Sequence, residues 1–299
     1  MVVMKMRKAK ERVFEERKEL VENIIIDLEN GKKPFWQEQW LTPKPINPTN
    51  GVSYRGINLI KLYIAAEKMG FKDNRWLTYK QAVSKKWKIK KGATATKLEF
   101  WKWEIIKKMK DDDGNEKEIK QQLDSPIVSY FNVFNAEQIE NIPKNTSNNK
   151  IFKNNELAEK LIRNSEASIK HTFTDNAYYS RNEDEIIIPN REYFKTENDY
   201  YSVIFHEMAH STGHESRLNR EKHKRQFDKK YAKEELIAEI SSMFLQLELG
   251  IEITNNKDHF ENHKAYIKHY IELLKETPSI LFSIIREAEK ASEYILNLA

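Results

Sequence analysis

The chain has 299 residues, with 51 Lys and Arg against 46 Asp and Glu, 39% hydrophobic residues, 32% charged residues and no Cys. That length favours two domains over one, and six Trp, thirteen Tyr and fourteen Phe exclude a disordered chain. The missing thiols exclude a disulfide framework, a thiolate zinc finger and a cysteine nucleophile, so any metal must be held by His and carboxylates. No apolar run approaches the ~18 residues of a membrane span, and the charged opening lacks the apolar stretch of a secretory signal. The expectation is a cytoplasmic protein with no membrane partner.

Charge and aromatics are divided along the chain. Lys and Arg outnumber Asp and Glu by 30 to 20 over residues 1–150 and fall short by 21 to 26 over 151–299. All six Trp (Trp36, Trp40, Trp76, Trp87, Trp101, Trp103) lie in the first half and all eight His in the second. The asymmetry predicts a basic aromatic binding module joined to a histidine-bearing chemical module.

The apolar spacing of Val13, Phe14, Leu20, Ile24, Ile25 and Leu28 predicts a helix over roughly Lys5 to Glu29. A loop follows, with turn signals at Asn47-Pro48 and Asn50-Gly51, and then a short helix from Leu59 to Met69 ended by Gly70. Aromatic and β-branched residues predict strands over Lys97 to Ile106 and Ile127 to Phe134, with DDDGNEKE as a solvated hairpin tip. Between Gly51 and Lys108 stand 15 basic and 4 acidic residues, interleaved with Tyr54, Trp76, Tyr79, Trp87, Trp101 and Trp103. Single-stranded nucleic acid asks for that mixture: cations neutralise phosphates and flat rings stack on unpaired bases. Arg55, Lys80, Lys85, Lys86, Lys90 and Lys91 are the candidate phosphate contacts. The competing reading is a solvated basic face over Trp residues that serve as core.

The polar stretch NIPKNTSNNK, Asn141 to Lys150, places a seam near residue 148 and divides the chain into 1–148 and 149–299. Glu185 to Pro189 reads as a strand closed by Pro, suited to a sheet edge that could hold an extended peptide. FHEMAHSTGH then supplies H-E-x-x-H. Residues four apart share a helix face, so His206 and His210 can present imidazoles to one Zn2+ ion. Glu207 stands beside the water that zinc activates and is the candidate general base for attack on a peptide carbonyl. Asn198 is a plausible cap for this helix.

Catalytic zinc usually keeps three protein ligands. The metzincin continuation fails, because Ser216 stands where its last His belongs. His214 is left as a substrate or structural residue. The next helix, YAKEELIAEISSMFLQLELG, is the better donor: Glu235 and Glu239 share a face, whereas Glu234 points about 100° away and reads as a solvated charge. Further on, Phe260 to Leu298 shows helical spacing split at Thr277-Pro278, predicting two core helices. Lys222 to Lys230 is a basic loop that faces DNA or solvent. His259, His263 and His269 read as surface residues.

The E-x-x-x-E spacing resembles the second helix of zincins. That resemblance implies Glu235 as the third zinc ligand and Glu239 as the partner that fixes an imidazole; the reverse assignment stays open. NPTNGVSYRGIN, RWLTYKQA, the KKG of Lys90 to Gly92, the FW of Phe100 and Trp101, and VFNAEQ together resemble the N-terminal domain of ArdC-type antirestriction proteins, through residues 36–140. The resemblance implies single-stranded DNA as a partner, with the binding role carried onto Tyr54, Arg55, Asn58, Trp76, Lys80 and Gln81. YYSRNEDEIIIP, HEMAHSTGH, SRLNR and YAKEELIAEI resemble the metallopeptidase domain of the same family. The implied fold is α+β, a small DNA-binding domain followed by a zincin-like domain. The implied role is antirestriction on a mobile element. Two competing classes are a non-enzymatic DNA-binding shield with a structural zinc, and a toxin-like or regulatory protease localised on DNA. Tyr231 and His214 are candidate oxyanion stabilisers.

Overall fold

The computed structural model describes residues 2–38, 43–110, 116–145, 155–221, 229–253 and 257–299. Trp40, the seam near residue 148, most of the acidic hairpin tip and the basic loop from Lys222 lie outside the described residues. So do the side chains of Trp103, His259 and His263.

The first half opens on α1 (Val2–Glu29), then α2 (Gly56–Met69), β1 (Trp76–Thr78), α3 (Tyr79–Ser84) and β2 (Lys88–Ile89). A long hairpin follows, β3 (Thr96–Lys110) and β4 (Glu116–Asn135), and then β5 (Ile139–Glu140). Helix α2 ends where the periodicity predicts, because Gly70 adopts φ 72° and its N–H reaches back to the carbonyls of Ala66 and Glu67. The two predicted strands are longer than their aromatic cores: β3 and β4 pair antiparallel from Thr96↔Val133 to Lys110↔Glu116, with a bulge after Lys102. β1 adds to the other side of β4. Three-residue β1 and six-residue α3 escape periodicity because each is shorter than two turns or two pleats; α3 is nucleated by a reciprocal cap between Thr78 and Gln81.

The second half comprises α4 (Asn155–Arg163), β6 (Ser168–Thr172), β7 (Tyr178–Ser180), β8 (Glu185–Pro189), α5 (Glu197–Ser211), α6 (Lys229–Leu249), α7 (Lys257–Glu276) and α8 (Ile280–Leu296). The strand order is β6-β8-β7, so β8 is central and the expectation of an edge there is corrected. Ile186 and Ile188 are fully buried, which calls for neighbours on both sides, and Pro189 forgoes a donor only at the last rung. The edge nearest the α5 helix is β7, paired antiparallel through Tyr179↔Ile186.

The largest hydrophobic core draws on both halves. Val21, Ile25 and Leu28 of α1, Trp36, and Leu59 and Tyr63 of α2 pack with Leu236 and Ile240 of α6, Tyr270 of α7 and Ile284 of α8. Trp36 is 2% exposed and meets Phe35 and Tyr270 edge-on at 4.8 and 6.0 Å. Its burial supplies stabilisation that neither half has alone. A second core lies between β8, α5 and α6 and holds α5 in place. Among the described residues no helix is long and apolar enough to cross a membrane.

Candidate metal centre and nucleic-acid face

Helix α5 is capped two residues earlier than expected. Thr196, not Asn198, is the N-cap: its hydroxyl accepts from the Asp199 N–H at 3.1 Å, while Asn198 is buried in the first turn. Glu197 and Asp199 in that turn favour the positive end of the helix. Tyr200, Tyr201, Ile204, Phe205 and Met208 bury the rest of the helix and fix its rotation. The helix stops at Ser211, so His214 is not on the face of His206 and His210; its Nδ1 bonds the Ser216 hydroxyl at 2.8 Å instead.

His206, His210 and Glu235 each bring a ligand atom within 4.8 Å of the others. The two Nε2 atoms face each other at 3.0 Å, and each lies 3.5 Å from an oxygen of Glu235. Two imidazole nitrogens and a carboxylate converging in a buried spot call for a cation between them. Burial opposes protonation of His210, but Glu235, Glu234 and Glu207 outweigh it and push the imidazole up to about 9. Burial also opposes ionisation of Glu235, yet His210, His206 and the Tyr231 hydroxyl hold its carboxyl at about 2. Two imidazole nitrogens and one carboxylate converging this closely are a donor set that fits a divalent ion, which would displace the proton these carboxylates otherwise favour on His210.

Glu207 is 7% exposed, and burial raises its proton affinity above that of an ordinary carboxylate. The backbone of Tyr179 on β7 faces the carboxylate and favours its charged form, more weakly than burial opposes it. Tyr179 is itself anchored: its hydroxyl donates to Asp184 at 2.7 Å, and Arg217 binds both Asp184 and the Ser211 carbonyl. Tyr231 contacts Glu235, which places it in support of a ligand.

The helical-wheel reading of Glu234 is corrected. Its side chain is 13% exposed, and its Oε1 lies 3.3 Å from His210 Nδ1. Arg220 grips the same carboxylate through Nε at 2.9 Å and Nη2 at 2.6 Å, and also reaches Thr212 Oγ1 and the Ala209 carbonyl. The wheel angle is right, but that side of α6 is covered by the turn after α5 rather than by water. Glu239 Oε1 stands 3.9 Å from His206 Nδ1, beyond hydrogen-bond length. Gly213 completes the arrangement by leaving space: an added Cβ would sit 3.0 Å from Arg220 Nη2 and 3.2 Å from the His210 carbonyl. Gly213→Ala is expected to weaken divalent-metal affinity about 10- to 100-fold while helix content is kept. Competition with a chromogenic chelator measures it, and unchanged affinity would show that His210 needs no such support.

The candidate nucleic-acid residues are placed unevenly. Trp76 is 1% exposed in a core with Leu62, Leu98 and Val133, which leaves no ring face for a base. The Tyr54 hydroxyl donates to the Trp76 carbonyl at 3.0 Å, Asn58 clamps the backbone of Glu99 through both its amide atoms, and Gln81 closes the cap of α3. Arg55, Lys80, Lys90 and Lys91 are exposed. Arg55 pairs with Glu293 of α8 at 2.8 Å, and Lys90 Nζ donates to the Glu137 carbonyl.

The N-terminal domain model of the anti-restriction factor ArdC matches residues 14–134, and a zincin-like metallopeptidase model matches 156–287. The chain belongs to the ArdC-type family. Its fold is that of the antirestriction ArdC protein from plasmid R388, at 29% identity and a TM-score of 0.72 for the metal-free crystal structure. The Mn(II)-bound form gives 28% and 0.74, and both comparisons cover 94% of this chain and 97% of the other. That Mn(II)-bound relative and the zincin-like domain indicate a divalent-metal site. Two proteins of Escherichia coli named DNA primase TraC are 35% identical over 93% of this chain. The chain spans only 27% and 19% of their lengths. An uncharacterized protein of Sinorhizobium fredii, y4eC, is 24% identical over 91% of this chain and 88% of its own length.

Proposed function

We propose that this ArdC-type chain binds single-stranded DNA through the module over 1–148 and acts as a zinc peptidase through the module over 149–299, in an antirestriction role. The observation that carries the reading is the convergence of His206 Nε2, His210 Nε2 and the Glu235 carboxylate, with Glu207 buried beside them. Three protein ligands leave a position open, which favours a catalytic over a structural ion. Zinc there would supply a Lewis acid able to lower the pKa of a water to ~7. Glu207, buried beside that open position with a raised proton affinity, would hold a proton there and pass it to a leaving amine. The edge strand β7, whose Tyr179 backbone faces Glu207, is placed to take an extended peptide alongside the helix. Arg55, Lys80, Lys85, Lys86, Lys90 and Lys91 are exposed cations of the N-terminal module suited to phosphates.

The test is Glu207→Gln in cells challenged by a restriction system, beside single-strand affinity across a salt series. Loss of protection with metal and DNA binding intact supports hydrolysis. Full protection would sink the enzymatic reading and leave the shield. Replacing both Lys80 and Lys91 by Ala is expected to flatten the salt slope by about 1.4, at ~0.7 per lost phosphate contact; an unchanged slope would remove those lysines from the interface.

A further inference from the structure

A cleft of about 350 Å3 opens where α1 and β3 of the first half meet α8 of the second, lined by Arg17, Trp101, Phe282, Ser283, Arg286 and Glu289. Its inner wall is set by one buried carboxylate. Glu99 accepts from Arg17 Nη2 at 2.7 Å, Lys61 Nζ at 3.1 Å and Trp101 Nε1 at 3.1 Å. Those bonds hold the Arg17 guanidinium 4.7 Å from the Trp101 ring centre and 4.2 Å from that of Phe282. A flat, cationic, aromatic layer is thus in place before any ligand arrives, and ordering it costs a ligand nothing.

The charges around the cleft are arranged by depth. Glu99 faces two cations and leaves one positive charge over, and exposed Arg286 at the mouth has no ion-pair partner among the described residues. Glu289 is half-buried at the inner end, close against Gly56 at the start of α2. A phosphate is therefore drawn to exposed Arg286, while the Glu289 carboxylate gives an exocyclic amine an acceptor on its side of the cleft. A nucleotide has that polarity.

We propose that this cleft takes one nucleotide of a DNA single strand, its base inserted against the layer of Arg17, Trp101 and Phe282 and its phosphate at Arg286. The proposal rests on the single-strand reading above and gives it a place at the seam, touching both halves. The Glu289 carboxylate accepts from an exocyclic amine, which cytosine, adenine and guanine carry, whereas thymine offers only its ring N3–H. Insertion thus comes with a preference against thymine, which phosphate contacts alone would not give.

The experiment is fluorescence anisotropy of short labelled oligo-dC, oligo-dA and oligo-dT with the full chain, Arg286→Glu and Ser283→Trp. The second variant fills the cleft without changing charge; circular dichroism and metal content confirm that both fold. The expected result is dC and dA bound more tightly than dT, about tenfold weaker binding by each variant, and the base preference erased in Ser283→Trp. If the unaltered chain binds single strands and Ser283→Trp binds them equally well, the cleft proposal is overturned while the single-strand reading stands. Weakening by Arg286→Glu alone overturns base insertion as well. If the unaltered chain binds none of the oligonucleotides, the single-strand reading itself fails and takes the cleft with it.

Discussion

Replacing His206 by Ala is expected to reduce bound divalent metal from about one ion per chain to none after dialysis, as measured by elemental analysis. His210 and Glu235 would remain, and two ligands do not hold an ion where three protein donors are the norm for a catalytic site. A thermal-shift series reports the same loss independently. An ion present at 100 times its dissociation constant stabilises the folded state by about 2.7 kcal/mol, so the unaltered protein should melt higher as metal is added and the variant should not. Equal metal content in the two proteins would remove the cluster of His206, His210 and Glu235 from the role assigned to it. The Mn(II)-bound relative leaves the identity of the ion to the same measurement. Growth in a medium containing both metals, followed by analysis of the purified chain, decides between zinc and manganese.

Glu99→Ala should be the most destabilising single change in the first half, at about 3 to 5 kcal/mol. Glu99 is 2% exposed, and its removal strands Arg17 and Lys61, which are themselves largely buried. Burial alone would raise its pKa, but Arg17 and Lys61 together hold the carboxyl below its usual 4.5. A carboxylate with a depressed folded pKa stabilises fully above its unfolded value and loses that contribution as pH falls through the folded one. The gap between the unaltered protein and the variant in urea unfolding should therefore be full at neutral pH and shrink below about pH 4.5. A gap independent of pH would mean that packing, not charge, is what Glu99 contributes. Because Glu99 also bonds the Trp101 indole and has its backbone clamped by Asn58, the variant should disorder the cleft wall as well.

Part of the candidate site follows from local spacing. A helix has a fixed period, so the four-residue interval between His206 and His210 already places both imidazoles on one face, and the same interval relates Glu235 to Glu239. The ends of α1 and α2 and the break between α7 and α8 follow from the same period and from stop signals at Gly70 and Thr277-Pro278, whereas α1, α2 and α7 each start three residues before the first expected position. Glu99 carried no such signal: one carboxylate among lysines in a strand reads as a solvated charge until Arg17, more than eighty residues earlier, is brought onto it.

Other features depend on which segments meet. Glu234 changes from a surface charge to a support for His210 because Arg220 arrives from the turn after α5 and Gly213 leaves room for it. The strand Glu185–Pro189 moves from edge to centre because β6 and β7 flank it, and neither short strand announces its partner. Trp76, placed by its neighbours among DNA-binding candidates, is enclosed by Leu62, Leu98 and Val133 from three separate elements. The sequence by itself determined the long helices, the β3–β4 hairpin, the His206–His210 donor pair and the charge division between the halves, since each is a property of residues close together in the chain. Only the tertiary structure decided the shared core around Trp36, the partner of each buried charge and the cleft at the seam. Burial and ion pairing depend on distance in space, and no local period encodes the approach of residues a hundred positions apart.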